Sequence, residues 1–290
     1  MGHINKISDG RYAVVTGASS GLGRCYALEL AKAGVNTLLV ALPGSSLEKT
    51  VAESLNYGIS CVSFEADLCR ENDLQKLCCE INAKYPVFLL INNAGIGGTK
   101  SFSSCPEEYL RHMICLNITV PTMLIRLLLP NLRTAKEAFI LNVSSMAAYS
   151  PIGFKTVYPA SKRFVLHFSR GLREELRSDG ISVSVVTPGP MKTNPDIIRR
   201  IERQGIFGRI GLLSPEQVTG ISLKRTFRRK AVIIPGLSNK INHALMSLIP
   251  DSILIPLMSK VISRELDIRG NFSVSEISVG GGNNLSVKMQ

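Results

Sequence analysis

At 290 residues, 45% of them hydrophobic and 19% charged, the chain has the bulk of one large globular core and not the charge density of a disordered segment. Its net charge of +12 is concentrated between Lys192 and Lys230, where ten Lys or Arg face only Asp196, Glu202 and Glu216, a patch that attracts anions. No zinc spacing, aromatic RNA-binding pattern or helix-turn-helix signature accompanies it, which argues against a nucleic-acid partner, and seven cysteines without a C-x-x-C beside four scattered histidines argue against a disulfide frame or a metal site.

Residues 1–10 read as an amino-terminal extension; no apolar run marks MGHINKISDGR for secretion, so the expected location is cytoplasmic. YAVVT, residues 12–16, is a short apolar strand that runs into GASSGLG and then into a helical stretch rich in alanine and leucine. Strand, glycine turn and helix form an arrangement suited to phosphate. Glycines at 17, 21 and 23 permit a tight turn and close backbone approach, and the following helix aims its first N–H groups and positive dipole end at a pyrophosphate. A glycine cluster alone reads equally well as a plain loop; its place after the first strand favours phosphate.

Strands and helices then alternate: NTLLVAL before a helix from about Leu47, ISCVSF before a helix over about 72–84, and VFLLINNAG before a long helical stretch ending near Pro130. AFILNVSS and ISVSVVTPG follow. This alternation predicts an α/β fold, a doubly wound parallel sheet with helices on both faces, and a nucleotide over the carboxyl ends of the strands.

Between the last two of these strands lie Tyr158 and Lys162, four residues apart and so on one face of a predicted helix. A phenol with a pKa near ~10 is a poor acid-base group at neutral pH, but a neighbouring cation favours its phenolate. Ser145 ends the apolar run FILNVSS, so that strand end and helix start can converge on one substrate oxygen. By spacing alone, the pair is also what a solvated helix face carries.

TGASSGLG, NNAG at 92–95, NVSS ending at Ser145, YPASK at 158–162 and PGPMKT from Pro188 follow in this order over about residues 10–195. Together they resemble the short-chain dehydrogenase/reductase family, whose Gly17-x-x-x-Gly21-x-Gly23 spacing differs from the G-x-G-x-x-G of other dinucleotide folds. The resemblance implies a Rossmann-type oxidoreductase that passes hydride between a nicotinamide and a carbonyl or secondary alcohol, with Asn117, Ser145, Tyr158 and Lys162 as the catalytic set. It implies cofactor contacts from Gly17, Ser19, Ser20, Gly21, Leu22, Gly23, Asp67, Leu68, Asn93, Ala94, Gly95, Tyr158, Lys162, Pro188, Gly189 and Thr193. Asp67 would touch the adenine region, with a helix N-cap as its alternative. Asn92 and its turn would steady the central strands, and Asn117 would hold a relay water or serve as a buried structural amide. The second strand ends in Ala41 and Leu42, without the Asp that binds a ribose 2′-hydroxyl or the Arg that many NADP enzymes of this family carry. With no carboxylate to repel a 2′-phosphate, and Arg24 and Ser45 as candidate contacts, NADP(H) is favoured over NAD(H). A dinucleotide-binding regulatory or scaffold protein without turnover is the rival reading.

After Thr193, PDIIRRIERQG and SPEQVTGISLKRTFRRK read as amphipathic helices, AVIIPG as a last strand, and INHALMSLIPDSILIPLMSKVISREL as one or two very apolar helices. Pro250, Asp251 and Pro256 interrupt that segment, which excludes a continuous apolar span of ~20 residues. Packing on the domain's own core, covering a substrate pocket, a dimer contact and a membrane surface all remain open for it. The expected organisation is one catalytic domain over 11–265, with a variable helical substrate cover at about 190–265 and a flexible tail at 266–290. A hydrophobic ketone fits such a cover, whether keto lipid, acyl thioester or sterol, as does a small ketone with a homo-oligomeric dimer or tetramer interface.

Overall fold

A computed structural model describes residues 8–191 and 211–266. Thr193, the predicted helix in PDIIRRIERQG, the basic residues from Lys192 to Arg209, residues 1–7 and the tail from 267 onward lie outside the described residues. Seven parallel strands, β1 (Tyr12–Thr16), β2 (Asn36–Ala41), β3 (Cys61–Glu65), β4 (Val87–Asn92), β5 (Ala138–Val143), β6 (Ile181–Val186) and β7 (Val232–Ile233), pair in the order β3-β2-β1-β4-β5-β6-β7. β4 and β6 are buried at every position, the mark of central parallel strands covered on both faces, whereas β3, at one edge, is only partly covered.

Successive side chains leave a strand on opposite sides, and two cores follow from that alternation. Ala13, Val15, Leu39 and Leu89 point to the face covered by α1 (Gly21–Lys32) and α2 (Leu47–Leu55). Val14, Leu38, Val40 and Leu90 point to the face covered by α3 (Glu71–Lys84) and by a long helical run. That run joins α4 (Glu107–Ile114) through a π-helical segment, Cys115–Thr119, to α5 (Val120–Leu132). By length and composition residues 107–132 could cross a membrane, yet Leu116, Val120, Leu124, Leu128 and Leu132 are buried against the sheet. α6 (Val157–Glu175) packs beside them on β5 and β6, and α7 (Pro215–Phe227), begun by a Ser214–Gln217 capping box, completes the first face with Val218 and Leu223.

The carboxy-terminal segment forms two helices, α8 (Leu237–Leu248) and α9 (Asp251–Ser263), parted at Pro250. Pro256 does not interrupt as expected: it lies inside α9. Its missing N–H leaves only the Ser252 carbonyl without a helical partner, and both residues face solvent, where water can serve that carbonyl. The helices bury few of their apolar residues. Leu254, Val261 and Ile262 of α9 are covered, while Leu237, Ile241, Leu245, Leu248, Ile253 and Leu257 are exposed. Packing on the domain's own core therefore accounts for only part of α9. α9 is held instead over the carboxyl ends of the strands, where Ser259 Oγ accepts from the Gly153 N–H at 2.8 Å and Glu265, just past the helix, pairs with Lys155 at 3.5 Å and accepts from Thr99 Oγ1 at 2.5 Å.

Candidate active site

The strand order reverses direction between β1 and β4, and the turns that follow these two strands meet there. Thr16, the last residue of β1, ties them: its Oγ1 accepts from the N–H groups of Asn93 and Ala94 at 3.0 Å each, and Asn93 Nδ2 returns to the Thr16 carbonyl at 2.9 Å. Asn92 Nδ2 donates to Asn142 Oδ1 at 2.8 Å, joining β4 to β5 as its expected steadying role requires. Gly17 has φ of +67°, and a Cβ on Gly23 would lie 2.0 Å from the Gly17 carbonyl oxygen, so the turn folds back onto the start of α1 more closely than any side chain permits. Ser20 occupies the N-cap of α1, Gly21 opens the helix and Leu22 is buried beneath it, leaving the first-turn N–H groups directed past the turn. Ser19 is half-buried beside them.

Asp67 does not cap a helix. α3 starts at Glu71 with Arg70 at its N-cap, and the Asp67 carboxylate instead accepts from the Cys69 N–H at 3.0 Å and pairs with Arg70 at 3.4 Å. The charge pairing wins because the aspartate lies three residues too early to reach the helix's free N–H groups. Leu68 beside it is buried. Arg24 is likewise committed, its guanidinium holding Glu53 at 2.5 Å, whereas the buried Ser45 hydroxyl has no partner among the described residues. Ala41 is buried at the end of β2.

The catalytic candidates are drawn together from three elements. The Lys162 side chain crosses from α6 to the end of β5, donating from Nζ to the Val143 carbonyl at 3.1 Å, and Ser144 Oγ returns to the Lys162 carbonyl at 2.6 Å. Those two bonds hold the strand end that carries Ser145 against the first turns of α6 that carry Tyr158. Ser145 is extended, φ −160° and ψ 158°, and its Oγ accepts from the Ala147 N–H at 3.1 Å. Lys162 Nζ lies 5.9 Å from the centroid of the Tyr158 ring, the two sharing a helix face as their spacing predicts. The tyrosine ring in turn fills the space that a side chain at Gly97 would need, a Cβ there approaching it to 2.8 Å. Lys162 is 6% exposed, and burial lowers its pKa from the ordinary 10.5 to about 8.

Asn117 sits in the π-helical segment, a widening of the helix that often marks a working position. Its amide is fully engaged: Oδ1 accepts from the Ile96 N–H at 2.9 Å, and Nδ2 donates to the Ile96 carbonyl at 2.9 Å and to Ser161 Oγ at 3.0 Å. A Cβ on Gly95 would come within 2.9 Å of Asn117 Oδ1 and 3.1 Å of Lys162 Nζ, so this glycine leaves open a cradle floored by both side chains. On the far side, Pro188 accepts from the Met146 N–H at 2.8 Å and Gly189 packs on the buried Asn239 amide. The glycine turn follows β1, the Asn93–Gly95 turn follows β4, Lys162 reaches the end of β5 and Pro188–Gly189 follow β6, so all stand at the carboxyl ends of neighbouring strands, and the chemistry of these residues fits a dinucleotide.

Sequence reasoning missed Thr16, Ser144, Ser161 and Asn239, all of which hold candidate residues in place. Thr16 and Ser144 had a legible signal, since each is a hydroxyl ending an otherwise apolar strand.

Comparisons with known proteins agree with this fold and identify the family. The sequence profile of the family described as short chain dehydrogenase matches residues 11–202. The chain is 31% identical over 264 residues to the very-long-chain 3-oxoacyl-CoA reductase of Anas platyrhynchos, covering 87% of this chain and 80% of that protein. It is 33% identical over 190 residues to human 17-beta-hydroxysteroid dehydrogenase type 3, covering 64% of this chain but 61% of the relative. Among solved structures, a short-chain dehydrogenase from Sphingobium yanoikuyae in complex with NADPH superposes with a TM-score of 0.70 at 30% identity, over 83% of this chain and 96% of that one.

Proposed function

Since the chain belongs to the short-chain dehydrogenase family of oxidoreductases, we propose that it is an NADPH-dependent ketoreductase acting on a hydrophobic carbonyl compound such as a keto lipid, an acyl thioester or a sterol. The observation that carries the reading is the buried Lys162 ammonium beside the Tyr158 ring and next to the strand end that presents Ser145. The turn at 17–23, the Asn93–Gly95 turn, Lys162 and Pro188–Gly189 would hold the dinucleotide, which when bound supplies the hydride.

Tyr158 Oη gives its proton to the carbonyl oxygen as the carbon is reduced, and the phenolate left behind is stabilised by the Lys162 ammonium. Ser145 Oγ–H donates a hydrogen bond to the same oxygen while negative charge develops on it. Asn117 positions the Gly95–Ile96 turn and, through Ser161, the first turn of α6; with its side chain committed in this way, a relay water would draw on the backbone of the π-helical segment. NADP(H) preference is supported by the absence of any carboxylate at Ala41 and by the unpartnered Ser45 hydroxyl, and the engagement of Arg24 with Glu53 leaves that arginine a lesser part. A hydrophobic substrate is supported by α9 closing over the loops that carry Thr99, Gly153 and Lys155, and by the lipid and steroid substrates in the names of the relatives.

The test is NADPH consumption with a ladder of aliphatic ketones. kcat/KM should climb with chain length, by up to ~0.8 kcal/mol of transition-state binding per buried methylene. Tyr158→Phe should lower kcat by ~10²-fold or more with NADPH affinity retained. Flat kcat/KM along the ladder would remove the hydrophobic-substrate reading, and near-normal turnover by Tyr158→Phe would remove the assigned proton donor.

A further inference from the structure

α8 is amphipathic with its apolar side turned outward. Leu237, Ile241, Leu245 and Leu248 share one helical face and are 73%, 52%, 55% and 79% exposed, and Ile253 and Leu257 continue an exposed apolar stripe on α9. Isolated surface leucines need no explanation, but a run of this length on adjoining helices does. The exposed charges along 237–264 are Lys240, Lys260 and Arg264 against Asp251 alone, and Lys240 borders the stripe, where a long side chain can lift its ammonium away from apolar surroundings.

The opposite face of α8 meets the sheet edge and α6 in a cavity of about 500 Å³. His243 and Ser247 of α8 line it together with Tyr149, Arg163 and Arg170, and among the described residues no acidic side chain does. The His243 ring lies 3.9 Å from that of Tyr149, and its buried Nδ1 has no hydrogen-bond partner among the described residues. Arg163, exposed, reaches only the Ala148 carbonyl, at 3.4 Å, while Arg170, also exposed, has neither an ion pair nor a hydrogen bond among the described residues. Two guanidiniums thus share one cavity with an imidazole nitrogen that lacks a partner, and among the described residues no carboxylate lining it answers their charge.

We propose that the α8–α9 hairpin docks on an anionic lipid surface, its leucine stripe entering the acyl boundary while the cavity bounded by Arg163, Arg170 and His243 receives a lipid headgroup phosphate. An apolar stripe on one face of α8 with cations behind the other matches a bilayer interface, where phosphates lie above the acyl chains. A second protein copy would satisfy the stripe but leave the cationic cavity unanswered. The inference is independent of the reaction assigned above, since docking is read without turnover.

The experiment is flotation of the full chain with vesicles of phosphatidylcholine, with and without phosphatidylserine. The protein should float only with the phosphatidylserine vesicles, and added salt should release it. Arg163→Gln with Arg170→Gln should weaken partition about 30-fold, the effect of two cations near the surface. Leu237→Gln with Leu245→Gln and Leu248→Gln should weaken it at least ~10-fold. These side chains are already in water, so an unchanged circular-dichroism melting curve should accompany the loss. Failure to float, equal flotation with both vesicle types or insensitivity to salt would overturn the proposal. So would unchanged partition by the arginine variant, or a leucine variant that floats normally but loses mass in light scattering, since a second copy would then cover the stripe.

Discussion

Lys162→Met replaces a buried ammonium by an apolar chain of similar length, which should change how stability depends on pH while it lowers turnover. Burial lowers the lysine pKa from the ordinary 10.5 to about 8, so the unfolded chain holds this proton more tightly than the folded one. Between those two values the unfolded state binds more protons, and the stability of the folded state therefore rises with pH across that window; below about 8 the destabilisation is present in full. The lowering corresponds to ~3 kcal/mol at pH 7, of which about 1 kcal/mol is recovered by pH 9. Methionine removes that pH-dependent term but also leaves the Val143 carbonyl without its donor at 3.1 Å, at a cost of ~1–3 kcal/mol, so the net change at pH 7 is small. The diagnostic quantity is the slope. Urea denaturation followed by circular dichroism should show the variant's stability relative to the unaltered protein falling by about 1 kcal/mol from pH 7 to pH 9, while its kcat at pH 7 drops because the phenolate has lost its cation. A difference that stays constant over that range would refute the buried, titrating lysine described here.

Two further substitutions test the cofactor crevice. Gly23→Ala would place a Cβ 2.0 Å from the Gly17 carbonyl oxygen and 2.6 Å from Asn93 Nδ2, so the turn must move; NADPH affinity measured by fluorescence titration should fall at least ~10-fold, and unchanged affinity would show that the turn does not hold the dinucleotide. Ala41→Asp should set a carboxylate against a 2′-phosphate and swing the ratio of kcat/KM values toward NADH. Preference of the unaltered protein for NADH would show that the missing carboxylate had been misread.

The order of the elements was legible along the chain because it rests on local periodicity, and the candidate site because its motifs, in order and spacing, resemble those of the short-chain dehydrogenase/reductases. Residues such as Val14 and Val15 must face opposite sides of a strand, and Tyr158 and Lys162 must share a helix face, whatever surrounds them. The glycines at 17 and 23 were equally readable, since a strand that turns straight into a helix requires a backbone that few other residues tolerate. What a side chain meets was decided only in three dimensions. Arg24, a candidate 2′-phosphate contact, is met in the fold by Glu53, 29 residues on, and for Asp67 the helix cap, the alternative to its adenine contact, falls away because α3 begins only at Glu71. Asn117 had no visible partner in the sequence, because Ile96 and Ser161 reach it from a loop and from another helix. Pro256 read as a helix breaker because an interior proline ordinarily is one, but a solvent-facing position lets water serve the freed carbonyl. The leucines of α8 were open to reading as core, foremost, or as substrate cover, dimer contact or membrane surface, since hydrophobic pattern specifies that a face is apolar and not what covers it; only the tertiary packing left that face outward, with a cationic cavity behind it.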